Sequence, residues 1–353
     1  MEKGDLKMKK RILAMFLIGV MVFMVACSTQ PSQQTEQQGE QQTAEQSNSD
    51  LEEFDIVLDW YPNAIHSFIY VAMEKGYYEE EGLHVNVRFP ANTNDALSLT
   101  AAGRADMGIY YLHDTIMTVA NENVPVKSVG ALVQSPLNII LSLKEKNISS
   151  PKDLIGKKVG QSGSTISEGM IKSNMEYVGV AEDTNVELVD VGFDLMSSMT
   201  TGKVDATIGC MVNHEVPQME AEGFEVQYYY PNEYGVPDYY ELVLLAGNDT
   251  LQNNKQKIQK FLRASVKGFE YTKQHPEEAL QILLDNQNKE NFPLKKEVEQ
   301  KSMDILLPVM ETESTPFLSQ NADVWQSNID WLKKEGLIEN SIAPEDVFEN
   351  IEY

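Results

Sequence analysis

The chain has 353 residues, 42% of them hydrophobic, which suits folded globular protein and excludes disorder as a whole. Its formal charge of -26 repels phosphate backbones and anionic headgroups, so nucleic acid and an acidic lipid surface are poor partners. Only two cysteines, Cys27 and Cys210, are present, too few for a disulfide scaffold.

Lys9, Lys10 and Arg11 precede the apolar run from Ile12 to Val25, which ends at Ala26 and Cys27. A basic flank, a short apolar core and a small residue predict a secretory signal over 1–26 rather than a permanent membrane span. Met24-Val25-Ala26-Cys27 resembles a bacterial lipobox, with Met24 in place of the usual leucine. On that resemblance Cys27 is the lipid-modified first residue of the mature chain. Residues 27–53 are almost wholly Ser, Thr, Gln, Glu and Asn after the cysteine and are expected to form a disordered tether. Removal of residues 1–26, five basic and two acidic, takes the formal charge from -26 to -29. Stability then rests on the core, since an acylated Cys27 leaves Cys210 without a partner.

From Phe54 the chain alternates strand and helix. FDIVLDW reads as a strand, and Ile65, Phe68, Ile69, Ala72 and Met73 recur at helical spacing before a stop at Gly76. VNVRF reads as a second strand, TNDALSLTAAG as a helix ending at Gly103, and ADMGIYY as a third strand. This order predicts a mostly parallel sheet with helices on its faces. LSLTAAGRADMGI, 97–109, overlays MSSMTTGKVDATI, 196–208, at a constant offset of 99 residues. Gly103 falls on Gly202, Arg104 on Lys203 and Asp106 on Asp205. Two similar α/β lobes are therefore expected. QSPLNIILSLKEKNI, 134–148, reads as the segment leaving the first lobe and DYYELVLLAGN, 238–248, as the one returning. The expected division is 54–136 plus 247–353 for lobe 1 and 137–246 for lobe 2. The helical remainder should cover lobe 1, and the two crossings should form a hinge.

Ligands of open α/β sheets sit beyond the carboxyl ends of strands. Asp59, Trp60 and Asn63 follow the first strand, and Tyr110 and Tyr111 the third, so both clusters are expected at the interlobe cleft. Trp60 and Tyr111 read either as flat walls for an aromatic ligand or as core packing. GQSGSTISEG, 160–169, reads either as a helix start able to hold an anion or a polar ligand edge, or as a simple strand-to-helix turn. In GVPDYYEL, 235–242, strand alternation puts Tyr239 and Glu241 on one face, where a carboxylate beside an aromatic wall suits an amino group and an adjacent ring N–H. His113 and His214 lack neighbours at metal-ligand spacing, so no metal is expected.

WYPNAIH, VAMEKGYYEEEGL, GRADMGI, DLIGKKVG and GVPDYYELVLLA, in that order, resemble the bacterial binding proteins for thiamine pyrimidine precursors, a group related to eukaryotic pyrimidine synthases. The likeness spans about residues 54–280. It implies a type II periplasmic-binding-protein fold, α/β, with two lobes, a two-strand hinge and a ligand cleft between them. It also implies capture of an aminopyrimidine, an N-formyl aminomethyl form or hydroxymethylpyrimidine, for an ABC permease, by a monomer tethered to the membrane. Under the resemblance Trp60, Asn63, Tyr239 and Glu241 match pocket positions, with Tyr111, Ser164 and Asn213 carried over beside them. GCMVNHE, 209–215, departs from the group's glycine and aromatics, so Met211 and Val212 would line a different wall and the ring's substituents stay open, a flavin or other heteroaromatic included. A synthase would need pyridoxal phosphate on a lysine and a cysteine-rich segment. No lysine lies between Asp55 and Glu74, and His66 reads as a cap or supporting group, so neither a cofactor nor catalysis is expected.

Overall fold

The computed structural model describes residues 51–180, 185–287, 289 and 293–353. The signal at 1–26, Cys27 and most of the tether lie outside them. The β-branched and aromatic run after the tether forms β1 (Glu52–Val57), parallel to β2 (Leu83–Arg88) and β3 (Met107–Tyr111). Between them come α1 (Ser67–Glu74), α2 (Tyr77–Glu80) and α3 (Asp95–Ala101). Gly76 ends α1 with φ +72°, a left-handed value open to glycine at little cost. Phe68, Ile69 and Ala72 are buried as the spacing predicts, whereas Met73 is on the exposed face.

The first unit continues through α4 (Leu112–Glu122) and β4 (Val126–Ala131) and crosses over at β5 (Asn138–Leu143). The second holds β6 (Lys158–Gln161), α5 (Ile166–Tyr177), β7 (Glu187–Asp190), α6 (Leu195–Thr200), β8 (Ala206–Met211), α7 (Glu215–Ala221) and β9 (Val226–Tyr229). The chain returns through β10 (Leu242–Gly247). Strand order is β2-β1-β3-β10-β4 in one sheet and β7-β6-β8-β5-β9 in the other. In both sheets the fourth strand is the antiparallel one, and each is contributed by a chain arriving from the opposite lobe.

The 99-residue repeat is physical. Gly103 and Gly202 both turn left-handed after α3 and α6, with φ +64° and +72°. Arg104 N donates to Leu99 O and Lys203 N to Ser198 O, each at 2.9 Å, so both helices close the same way.

Two expectations about organisation need correction. The second-lobe segment 137–246 would include most of β10, yet β10 pairs with β3 and β4 in the first sheet. LVLLAG is an unbroken apolar run buried along its whole length, which a strand covered on both faces requires. The helical remainder also reaches past the first lobe. It comprises α8 (Asn248–Asn253), α9 (Lys255–Gln274), α10 (Pro276–Asp285), α11 (Lys296–Met310), α12 (Ala322–Lys334) and α13 (Pro344–Val347). Helix α9 lies on α1 so closely that a Cβ on Gly268 would stand 2.2 Å from Phe68 O. Helices α11 and α12 touch both lobes: on the second-lobe side Asn213 Nδ2 donates to Ser302 Oγ at 2.9 Å, and Trp331 Nε1 to Ser173 Oγ at 2.8 Å. Among the described residues no helix is long and apolar enough to cross a membrane.

Candidate functional site

The loop leaving β1 is fixed before it meets any ligand. Asn63 caps the short 3-10 turn Ala64–His66, its Oδ1 accepting from Ile65 N at 3.0 Å, while its own N–H donates to His66 Nδ1 at 3.1 Å. With Nδ1 accepting, the ring proton is on Nε2, which faces Asp59 Oδ1 at 2.9 Å. Ala64 N donates to Glu299 Oε2 of α11 at 2.8 Å. Trp60 is thereby aimed across the cleft. Its ring lies 4.4 Å from that of Phe193, in the loop after β7, and Tyr61 lies 5.5 Å from the same ring.

Behind this aromatic contact a cavity of about 560 Å³ opens between the sheets, within the range of small-molecule sites. Trp60, Tyr110, Tyr111 and Phe193 supply its aromatic surface, and Asn138, Ser164, Met211 and Glu241 its remaining edge, together with Asp114 and Asp190. These groups come from strand ends of both lobes and from the crossings. Glu241 stands where the crossings meet: its Oε2 accepts from Leu137 N at 2.6 Å and Asn138 N at 2.8 Å. Burial pushes its carboxyl up to about 7, against the lowering effect of those amides and with Asp59 adding to the rise. Burial likewise raises Asp114, opposed by the hydroxyl of Ser164, which donates to Asp114 Oδ1 at 2.6 Å across the lobes. The Tyr111 phenol is held well above the ordinary range by burial and then by the negative charges of Asp59 and Glu241. Such a wall offers flat π surface and an acceptor-rich edge. It is suited to a ring that carries N–H donors.

A second cavity, about 320 Å³, backs onto the first through Trp60 and Phe193 and is bounded by Asn63, His214, Glu215 and Glu299. Here burial would lower His214, but Glu215 at 2.8 Å and Glu299 at 3.7 Å outweigh it and lift the imidazole to about 9.

Of the residues chosen from sequence, Trp60, Tyr111, Ser164 and Glu241 meet at the cleft cavity. Three do not. Asn63 lines the second cavity instead, its amide capping the turn and donating to Tyr61 O at 3.1 Å. Asn213 is fully buried and turned toward Ser302 of α11. Tyr239 is buried edge-on against His113, with ring centroids 4.4 Å apart, and stands beside Glu241 and Asn138 without itself lining the cavity. Tyr239 and Glu241 stand side by side as alternation predicts, although β10 begins only at Leu242. Trp60 and Phe193 stand at the mouth, with Tyr110 and Tyr111 on the wall. Met211 reaches the cavity, but Val212 does not. Sequence reasoning missed Asp114, Asn138, Asp190 and Phe193. Phe193 lay within reach of the same rule that found Trp60, since it follows a parallel strand.

A family described as NMT1/THI5 like matches residues 63–279. The chain is 39% identical to the Formylaminopyrimidine-binding protein of Halalkalibacterium halodurans over 95% of this chain and 97% of that protein. It is 27% identical to the 4-amino-5-hydroxymethyl-2-methylpyrimidine phosphate synthase of Legionella pneumophila, over 68% of this chain and 75% of that one. Among solved structures, the alkanesulfonate-binding protein SsuA from Xanthomonas axonopodis pv. citri superposes with a TM-score of 0.67 at 12% identity, covering 84% of this chain and 98% of that one. A Candida albicans protein described as exhibiting the generic periplasmic binding protein structural fold gives a TM-score of 0.64 at 18% identity, covering 86% and 98%.

Proposed function

The chain belongs to the NMT1/THI5-like family and has a type II periplasmic-binding-protein fold, and on that premise we propose that it captures an aminopyrimidine precursor of thiamine outside the cytoplasm and hands it to an ABC importer. The observation that carries the reading is the cavity of about 560 Å³ with aromatic walls and a carboxylate at its pivot. A 4-aminopyrimidine presents a flat ring and an exocyclic amine beside a ring nitrogen. Trp60, Tyr110 and Tyr111 contact its faces in this account, Glu241 accepts from the amine edge, and Asn138 and Ser164 meet the remaining polar atoms. Desolvated charge-assisted hydrogen bonds of this kind discriminate strongly against rings that lack the donors.

Binding without conversion is favoured over synthesis by the higher identity to a protein named for binding, along nearly its whole length, than to one named as a synthase. Cys27 carries the lipid anchor in this reading, and the monomer is the working unit. The test is calorimetric titration of purified protein with formylaminopyrimidine and hydroxymethylpyrimidine, followed by mass spectrometry of the recovered ligand. One equivalent bound and returned unaltered is expected, and Trp60→Ala should weaken binding about 30-fold, equivalent to about 2 kcal/mol of lost aromatic contact. Recovery of a changed ligand, or no uptake of either compound, overturns the proposal.

A further inference from the structure

We propose that Asp114 and Asp190 make the cleft an anion filter that admits the unphosphorylated ring and rejects its phosphate ester; the inference rests on the aminopyrimidine reading and names the charge class the site accepts. The cavity wall carries three carboxylates, Asp114, Asp190 and Glu241, and, among the described residues, no Lys, Arg or His. The one feature that would ordinarily draw an anion is the start of α5, a twelve-residue helix preceded by Ser162-Gly163-Ser164-Thr165. Three of its donors are committed inside the protein. Gly163 N donates to Gln161 Oε1 at 2.7 Å, Ile166 N to Ser164 Oγ at 3.3 Å, and Ser164 Oγ to Asp114 Oδ1 at 2.6 Å.

The remaining approach is guarded. The Asp190 carboxylate oxygens lie 3.7 and 3.8 Å from where a Cβ on Gly163 would stand, and Gly192 N holds Oδ1 at 3.0 Å. Asp114 belongs to the first lobe and Asp190 to the second, so a carboxyl group from each lobe stands beside the helix start. A phosphate monoester brings close to two negative charges at neutral pH. Placed there it meets like charge in a partly desolvated cleft, where such juxtaposition is strongly disfavoured. An amine or a neutral hydroxymethyl group meets acceptors instead. The discrimination has chemical weight because the family includes proteins named for making the phosphate of this same ring.

The experiment measures dissociation constants of the full chain for 4-amino-5-hydroxymethyl-2-methylpyrimidine and its phosphate by calorimetry, with thermal melts as a check on folding. The unmodified protein should favour the unphosphorylated compound by about 100-fold or more. Asp190→Asn, on an exposed residue, should narrow the ratio about 3-fold, and Asp114→Asn with Asp190→Asn together about 10-fold, through tighter binding of the phosphate. Added salt should narrow the unmodified ratio as well, since screening weakens repulsion at the exposed Asp190. If the double variant melts below the assay temperature, Asp190→Asn alone decides. Equal binding of both compounds by the unmodified protein, or a ratio unmoved in a folded variant, refutes the filter and leaves the aminopyrimidine reading standing. Binding of neither compound refutes both.

Discussion

In the first lobe Asp106 Oδ2 accepts from Asp55 N, in β1 one residue before its pairing with β3, at 2.8 Å, while its Oδ1 meets Lys257 Nζ at 2.6 Å. In the second, 99 residues on, Asp205 Oδ2 accepts from Lys158 N, at the head of β6, at 3.1 Å, and its Oδ1 meets Lys146 Nζ at 2.9 Å. The same carboxylate, one oxygen on a strand amide and the other on a lysine, ties the helix-strand turn to the second strand in each sheet's order. The lysines come from different places, α9 in one lobe and the turn after β5 in the other. Opposite ends of the strands are unlike: β1 leads to Trp60, Tyr61 and a capped turn, and β6 to the small residues Ser162–Thr165. The framework has been held to one pattern at its amino end while its carboxyl end was free to differ, which is where the cavity lies.

That comparison can be broken in graded steps. Gly268→Val drives a side chain into Phe68 O and should cost about 4 kcal/mol in denaturant unfolding, with hydrogen-exchange protection lost from the first sheet before the second. Asp106→Ala should cost about 3 kcal/mol and Asp205→Ala about 2, each losing a charge-assisted anchor. The difference follows exposure, since the second pair is the more open to solvent. Equal costs would mean that the lysines contribute little.

Between the lobes, His214 stands above the ordinary 6.5 at about 9. Its contribution is therefore complete below pH 6.5 and is lost as pH rises through about 9, a fall of up to about 3 kcal/mol that His214→Gln should remove from a melting series. Smallest is Ser164→Ala, which takes one interlobe hydrogen bond from Asp114 and should lower stability by about 1 kcal/mol or less in thermal melts.

Strands β1, β2 and β3 were legible because β-branched and aromatic runs end abruptly at turn residues. The repeat was legible because glycine and aspartate each do one job that few other residues can do. Trp60 and Glu241 were legible from position, one at a strand's end and the other at a crossing. The capping role of Asn63 was not legible, because an asparagine amide serves a helix cap and a ligand equally well, and the acceptance from Ile65 N shows that it does the first. Tyr239 was legible as the neighbour of Glu241, but that its ring packs on His113 was not, because His113 lies far off in the sequence. Asp114 went unnoticed because an acidic side chain in a helix's first turn is ordinary dipole compensation; its partner Ser164 lies 50 residues away.

Glu241 holds amides of the outgoing crossing while it belongs to the returning one, so its carboxylate sits at the fulcrum of the molecule. Points near a fulcrum travel little when the arms swing, whereas the Trp60 and Phe193 rings, at the far rim, travel most. A guest resting on that carboxylate would keep its footing through the whole stroke, and the rim would register its arrival by the distance between two rings.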